Sequence, residues 1–235
     1  SVSYSWTRKN IKRIKPEDAL PPLWSFVPSV VVSSGNWTSM ASDLNKRYVA
    51  AASGDNEVKA FTAKLIADEK SELGKISLIK NYVASKIRKV QAGIFEIPYS
   101  SISSADKTFA DTYGNSADKA ILLYAMLKSA GFSTEFVLSS PYADCREFFD
   151  ILKKAPQLSA FDEVLVLVKS SSGSLIYLND ADQYASVGTA ARAGKPGLFI
   201  SRADAPIEDV NVPESQVSSS AIEFTVKILD RKSVV

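Results

Sequence analysis

The sequence predicts an α+β fold in which helices pack on an antiparallel β-sheet. Two observations carry this prediction. Between residues 56 and 131 the apolar residues recur with helical spacing, whereas from residue 134 onward they form short alternating or continuous runs. Helices in one stretch of a chain and strands in the next are typical of α+β domains.

The first two predicted helices are amphipathic. One face of the first helix carries Val58, Phe61, Leu65 and Ile66, and one face of the second carries Ile76, Ile79, Val83, Ile87 and Val90. Asp55 or Asn56 can cap the first helix and Ser71 can cap the second. Tyr82 lies beside the second apolar face and is expected in the core. Residues 92–112 are expected to form a loop.

The third predicted helix begins at Asn115 and is expected to be buried on most sides. Asn115 and Asp118 have the spacing of a capping box. Apolar residues are dense along the helix: Ile121, Leu122, Tyr124, Ala125 and Leu127. Lys128 suits the negative end of the helix dipole, and Gly131 suits a left-handed stop.

Strands are predicted after this helix, at residues 134–138, 161–168 and 175–178. Gly173 supplies the turn of a hairpin between the last two. A short helix is predicted at residues 144–153. Residues 185–220, rich in Ser, Ala, Gly and Pro, are expected to be irregular, and residues 222–229 alternate as a final strand.

Composition excludes several classes of site. The chain has 235 residues, a net charge of +2, no histidine and a single cysteine, Cys145. So small a charge does not indicate a nucleic acid or a membrane surface as partner. No apolar run reaches the roughly 18 residues that span a bilayer. A metal site would rest on carboxylates alone, so we expect no metal or other cofactor. Cys145 is expected to be a small buried apolar residue rather than a nucleophile.

Three short motifs follow one another along the chain. They are GNSADKA at 114–120, FDEV at 161–164, and YLN at 177–179 with DQY at 182–184. In order and spacing they resemble the motifs that carry the cysteine, histidine and aspartate of the transglutaminase-like superfamily, which shares the core of the papain-like cysteine proteases. The resemblance covers most of residues 1–190.

This resemblance implies a fold and a domain order. The nucleophile position would lie at a helix N-terminus, with the other triad positions on adjacent antiparallel strands. Residues 1–45 would be an extended connector from a preceding β domain, with a short strand at 30–32. Residues 46–190 would be the core. Residues 191–235 would be an irregular segment and a final strand, the start of a further β domain. The relatives are large bacterial exported proteins, so the resemblance suggests a periplasmic or extracellular location.

The triad positions of this chain are Ser116, Glu163 and Asn179, so all three depart from the family pattern. A serine hydroxyl stays protonated at a helix N-terminus unless a base contacts it. Glutamate is a weak base at neutral pH, and Asn179 carries no charge. The chain is therefore expected to be an inactive member of an enzyme fold.

Three functions stay open. The first is a pseudoenzyme whose groove binds a peptide, a glycan or a neighbouring domain. The second is a hydrolase or amidase that uses Ser116 with Glu163 as base at acidic pH, helped by Asp180 or Asp182. The third is a spacer between β domains. Each triad position also has an ordinary structural explanation, since Ser116 suits a helix start and Asn179 a turn.

Aromatic residues bear on the choice between binding and architecture. Tyr113, Tyr99 and Tyr177, together with Asp182, are the candidate binding residues. Tyrosines that converge on the groove would favour binding; tyrosines that pack in the core would favour architecture, as is usual for aromatic side chains. Tyr142 and Tyr184 belong to the same test.

Overall fold

The computed structural model describes residues 3–15, 17, 27–54, 56–141, 146–178, 185–188, 192–213 and 222–225. The chain divides into two units, Ser1–Val32 and Ser33–Val235. The described residues of the first unit form no helix or strand, so the strand predicted at 30–32 is wrong. Val30, Val31 and Val32 are all exposed, and β-branched residues form a stable strand only beside a partner strand.

The second unit opens with four helices: α1 (Trp37–Ala52), α2 (Asn56–Leu65), α3 (Glu72–Lys86) and α4 (Ala105–Asp111). The cap predicted at Ser71 is confirmed, because its side chain accepts a hydrogen bond from the N–H of Gly74 at 3.0 Å. Helix α3 ends at Lys86, so Val90 lies beyond the helix that was predicted to contain it. Helix α4 corrects the prediction of a loop over 92–112; Ser104 caps it.

The fifth helix, α5 (Ser116–Ser129), is the centre of this unit. The capping box of Asn115 and Asp118 is confirmed, and apolar residues on all sides of the helix are buried. Helices α1 to α4 contact it, as do the strands β3 (Ser133–Ser139) and β4 (Glu163–Lys169). A helix that is apolar all round is stable only when it is surrounded in this way.

Among the described residues the sheet has five strands in the order β5-β4-β3-β6-β7, where β6 is Pro196–Phe199 and β7 is Ile207–Asp209, and every neighbouring pair is antiparallel. Strand β5 is Leu175–Leu178, and helix α6 (Arg146–Lys154) lies between β3 and β4 in the chain. Ahead of these, the short strands β1 (Arg88–Lys89) and β2 (Tyr113–Gly114) form a separate parallel pair. The predicted α+β fold, with helices on an antiparallel sheet, is therefore confirmed.

Strands β6 (Pro196–Phe199) and β7 (Ile207–Asp209) correct the expectation that residues 185–220 are irregular. Gly197 weakens the strand pattern of β6 in the sequence, but the packing of the sheet requires a glycine at this position. A Cβ at Gly197 would lie 2.9 Å from Cγ1 of Val137 on β3. The final strand predicted at 222–229 is not formed at residues 222–225, and residues 226–229 lie outside the described residues. Among the described residues, no helix is long and apolar enough to cross a membrane.

Candidate functional site

Ser116 is the first residue of α5. Asn115 caps the helix: its Oδ1 accepts a hydrogen bond from the N–H of Asp118 at 3.0 Å, and its own N–H donates to Oδ2 of Asp118 at 3.2 Å. Ser116 is only 4% exposed, and its Oγ has no hydrogen-bond partner among the described residues. A buried hydroxyl without a partner costs about 1–3 kcal/mol. The Ser116 hydroxyl therefore takes no part in the capping hydrogen bonds, which Asn115 and Asp118 make.

Asp118 supplies a buried negative charge on the first turn of α5. Besides the N–H of Asn115, its carboxylate accepts a hydrogen bond from the N–H of Ser103 at 2.9 Å. Burial raises the pKa of Asp118, and these two hydrogen bonds offset part of the rise. This carboxylate already interacts favourably with the positive end of the helix dipole.

A short stretch of chain after β1 forms one wall beside Ser116. The N–H of Arg88 donates to the carbonyl of Thr112, and the N–H of Val90 to that of Gly114, both at 2.8 Å. The buried Lys119 of α5 donates from Nζ to the carbonyl of Ile87, also at 2.8 Å. These contacts attach the wall directly to the start of α5.

The opposite wall carries Glu163, the first residue of β4. Glu163 is 6% exposed, and its Oε2 lies 2.6 Å from Nε of Arg192. The same guanidinium lies 3.0 Å from the carboxylate of Asp162. Burial disfavours the charged guanidinium, but the hydrogen bond that Arg192 donates to Glu163 and the charges of both carboxylates outweigh this and raise the pKa of Arg192. The Glu163 carboxylate is thus engaged by a cation.

These walls enclose a groove of about 360 Å³. Its lining residues are Lys89, Val90, Gln91, Ala92, Gly93, Glu96, Ser116, Asp162, Glu163 and Arg192. Two of the three triad positions, Ser116 and Glu163, therefore face the same space. They are not hydrogen-bonded to each other, because the Oγ of Ser116 has no partner within the described part of the chain. To accept a proton, Glu163 would have to give up its ion pair with Arg192.

Arg192 is the residue of this groove that sequence analysis missed. It lies in a stretch expected to be irregular, and none of the three motifs contains it. One signal was available: Arg192 is the single charged residue between Gln183 and Lys195 in a run of small residues. The sequence alone does not identify the partner of an isolated charge of this kind. The fold is needed to show which residue the charge contacts.

Of the other predicted site residues, the structure describes Tyr99, Tyr113 and Tyr177. Asn179 and Asp182 lie outside the described residues, as do Asp180, Tyr142, Cys145 and Tyr184. Tyr177 is 2% exposed and packs in a core cluster with Val137 and Phe199, and burial raises its pKa.

Tyr113 is 46% exposed. The guanidinium carbon of Arg88 lies 5.9 Å from the centre of its ring. Tyr99 begins a single 3₁₀ turn, Tyr99–Ser101. Neither Tyr113 nor Tyr177 belongs to the described lining of the groove. Their positions therefore lend no support to an aromatic binding surface there.

Comparison with solved structures bears on the fold. A candidate protease from Parabacteroides distasonis ATCC 8503 matches with a TM-score of 0.59 at 19% sequence identity, over 76% of this chain and 32% of that chain. A candidate cysteine protease from Cytophaga hutchinsonii matches with a TM-score of 0.41 at 10% identity, over 62% of this chain and 46% of that one. No family model and no curated protein matches the sequence.

The likeness to the Parabacteroides protein shows the fold. This chain spans about a third of the length of that protein. Mixed helices and an antiparallel sheet, with Ser116 at the start of the central helix, are consistent with the transglutaminase-like and papain-like core that the sequence resembles. A fold shared at this level of identity does not carry an activity with it.

Proposed function

We propose that this chain is a catalytically inactive transglutaminase-like domain that binds a ligand in its groove, within a larger surface or exported protein. One observation carries the proposal. Glu163, at the position of the family's histidine, is ion-paired with Arg192 instead of contacting Ser116. The chain contains no histidine that could take over as base.

Acyl transfer requires a nucleophile in contact with a base. In serine proteases the loss of either partner lowers turnover about a millionfold. Here no described residue accepts the proton of the Ser116 hydroxyl, and the carboxylate of Glu163 accepts a hydrogen bond from the guanidinium of Arg192. The hydroxyl of Ser116 and the ion pair of Glu163 give the groove a polar surface to which a ligand can bind.

The groove lining favours a polar ligand. Among its described residues are two cationic and three acidic side chains, those of Lys89 and Arg192 and of Glu96, Asp162 and Glu163, and no aromatic ring. A peptide segment, a glycan or a neighbouring domain of the same polypeptide would offer matching donors and acceptors. In this proposal residues 46–190 form the core that carries the groove, Arg192 reaches it from the further segment at 191–235, and residues 1–45 are a connector.

A pair of enzyme assays tests inactivity. Hydrolysis of fluorescein-labelled casein and incorporation of dansylcadaverine into dimethylcasein should be the same for the natural chain and for Ser116→Ala, at every pH from 4 to 8. Turnover that disappears in Ser116→Ala would overturn the proposal.

Binding is tested separately with peptide and glycan arrays. Gln91 is an exposed residue of the groove wall, so Gln91→Trp should fill the groove and abolish array signals given by the natural chain. Ser101→Trp places the same ring at an exposed position that is not part of the groove lining. Signals lost equally in both variants, or in neither, would contradict binding in the groove.

A hydrolase is the second candidate, because Ser116 and Glu163 line one groove. The carboxylate of Glu163 would act as a base on Ser116 only after leaving its ion pair with Arg192. A fluorophosphonate probe applied from pH 4 to 8 distinguishes the two candidates. Labelling that requires Ser116 supports the hydrolase; the inactive domain predicts none.

A further inference from the structure

A second cavity, of about 420 Å³, lies at the other end of α5. We call it the α5 C-terminal pocket; its lining residues are Val49, Ala52, Ser53, Gly54, Lys59, Tyr124, Ala125, Lys128 and Ser129. Ser116 and Lys128 are twelve residues apart on α5, which corresponds to about 18 Å along a helix. The pocket is therefore a site separate from the groove, and nothing said of it depends on the function proposed for the groove.

One part of the pocket is apolar and rigid. Val49 and Ala52 come from the end of α1, and Tyr124 and Ala125 from α5. The ring of Tyr124 stacks on that of Phe136 with centroids 4.2 Å apart and planes 14° apart. An aromatic ring held in this way offers a flat surface for another flat apolar group.

The other part of the pocket is cationic. Lys59 of α2 and Lys128 of α5 line it, and no described lining residue carries a carboxylate. Neither lysine takes part in an ion pair among the described residues. Lys128 does contact an aromatic face, since its Nζ lies 5.9 Å from the centre of the Tyr124 ring. Two ammonium groups at one cavity favour an anion.

The two hydroxyl groups of the pocket already donate to backbone carbonyls, and one carboxylate, that of Asp106, lies next to Gly54 without being part of the lining. The hydroxyl of Ser53 donates to the carbonyl of Val49 at 2.7 Å, and that of Ser129 to the carbonyl of Met126 at 2.8 Å. Asp106 stands behind Gly54, where an added Cβ would lie 2.0 Å from its Oδ2. The lysines are therefore the groups that an acidic ligand would meet at the rim.

We propose that the α5 C-terminal pocket binds a small amphipathic organic anion. The flat apolar body of the ligand lies against Tyr124 and Ala125, and its acidic head lies between Lys59 and Lys128. The ordinary alternative is that Lys128 interacts only with the negative end of the α5 dipole and that Lys59 is only solvated. The two explanations differ in whether both lysines act on one ligand.

The test uses 8-anilino-1-naphthalenesulfonate, an aromatic anion whose fluorescence rises in an apolar site, with the full chain. We expect saturable binding at one site per chain. The double variant Lys59→Gln/Lys128→Gln should weaken it at least about tenfold, a loss of about 1.4 kcal/mol of binding free energy, because both charge contacts are removed. Raising the salt concentration should weaken it in the natural chain and have little effect on the double variant.

Lys64→Gln is the matched control, because Lys64 is an exposed lysine of the same helix α2 that is not part of the pocket lining. It should leave the affinity unchanged. Ala125→Leu should reduce the affinity by filling the apolar part. The lysine variants alter exposed side chains, so a thermal melt should show them folded even if Ala125→Leu is not. Equal affinity in the double variant and in Lys64→Gln, or binding that does not saturate, would overturn the proposal.

Discussion

Arg192 lies in a loop and carries a positive charge into the groove. There it forms an ion pair with Glu163, the first residue of a strand. Both side chains are largely buried, whereas Asp162 is half exposed. A buried ion pair is weak evidence of net stability, but removing one partner leaves an uncompensated charge. The important quantity at this site is therefore the coupling between Arg192 and Glu163 rather than the effect of either residue alone.

We expect Arg192→Met to lower the free energy of unfolding by about 3 kcal/mol at pH 7, because the Glu163 carboxylate stays buried without its cation. Urea denaturation followed by tryptophan fluorescence measures this. Arg192→Met/Glu163→Gln should recover at least about 1 kcal/mol of the loss. Strictly additive effects of the two substitutions would show that the pair is not coupled.

Asp118 should make stability depend on pH. Burial raises its pKa in the folded state, so the folded chain holds this proton more tightly than the unfolded chain. The resulting stabilisation is complete below the unfolded pKa, about 3.9 for aspartate, and is lost as pH rises through the folded pKa. Asp118→Asn should flatten the dependence of the unfolding free energy on pH from 4 to 7. Slopes should be compared rather than absolute values, since the amide also loses the hydrogen bond from Asn115; equal slopes would contradict the assignment.

At the residue scale, sequence motifs placed Ser116 and Glu163 on one groove but did not include Arg192. The two motif positions follow from their order along the chain. Each is the first residue of a helix or a strand, so the secondary structure sets its place in the fold. Arg192 reaches Glu163 from 29 residues further along. Such a pairing depends on how a loop returns to the sheet, and no local pattern in the sequence records it.

Among the elements, α5 depends most strongly on the hydrogen bonds that cap its N-terminus. Asn115 is itself buried, and its capping box closes the helix beside the groove. Ser71 caps α3 in the same way but at an exposed position. Asn115→Ala should therefore cost about 2 kcal/mol and Ser71→Ala about 0.5–1 kcal/mol of unfolding free energy, the two ends of the range for N-caps.

Parallel urea denaturation of the two cap variants measures this difference. Far-ultraviolet circular dichroism of the folded state serves as the control, since neither variant should lose a helix. Equal losses of stability would mean that burial of the Asn115 cap contributes nothing beyond an ordinary helix start.

The elements that sequence analysis missed have identifiable causes. Buried residues of α1 are Trp37, Ala41, Leu44 and Tyr48, a helical period that was present in the sequence but was divided by the predicted boundary between the connector at 1–45 and the core at 46–190. Helix α4 has seven residues, too few for a period to be visible. Strand β6 begins with Pro196 and Gly197, residues that ordinarily weaken a strand. It forms because β3 offers an unpaired edge, which is a tertiary cause.

For the whole molecule, helices on an antiparallel sheet were predictable because two kinds of periodicity occupy separate stretches of the chain. The strand order was not, since β6 and β7 add to the sheet beyond β3 rather than beyond β5. The function was even harder to predict from the sequence than the strand order. The motifs indicate an enzyme fold, whereas the contacts of Ser116 and Glu163 decide what that fold can do.

The absence of histidine is a property of the entire chain with a measurable consequence. Histidine is the side chain whose ordinary pKa lies between pH 5 and 8, and this chain has none. Each proton bound differently by the folded and unfolded states would change the unfolding free energy by about 1.4 kcal/mol per pH unit. The variant Asp118→Asn removes the carboxylate whose pKa is raised. We therefore expect its unfolding free energy to vary by less than about 0.5 kcal/mol from pH 6 to 7.5. Urea denaturation at four pH values in this window measures it. A steeper change would reveal another buried group that titrates near neutrality, and the carboxylates of the groove, Glu163 first, would then have to be examined as bases.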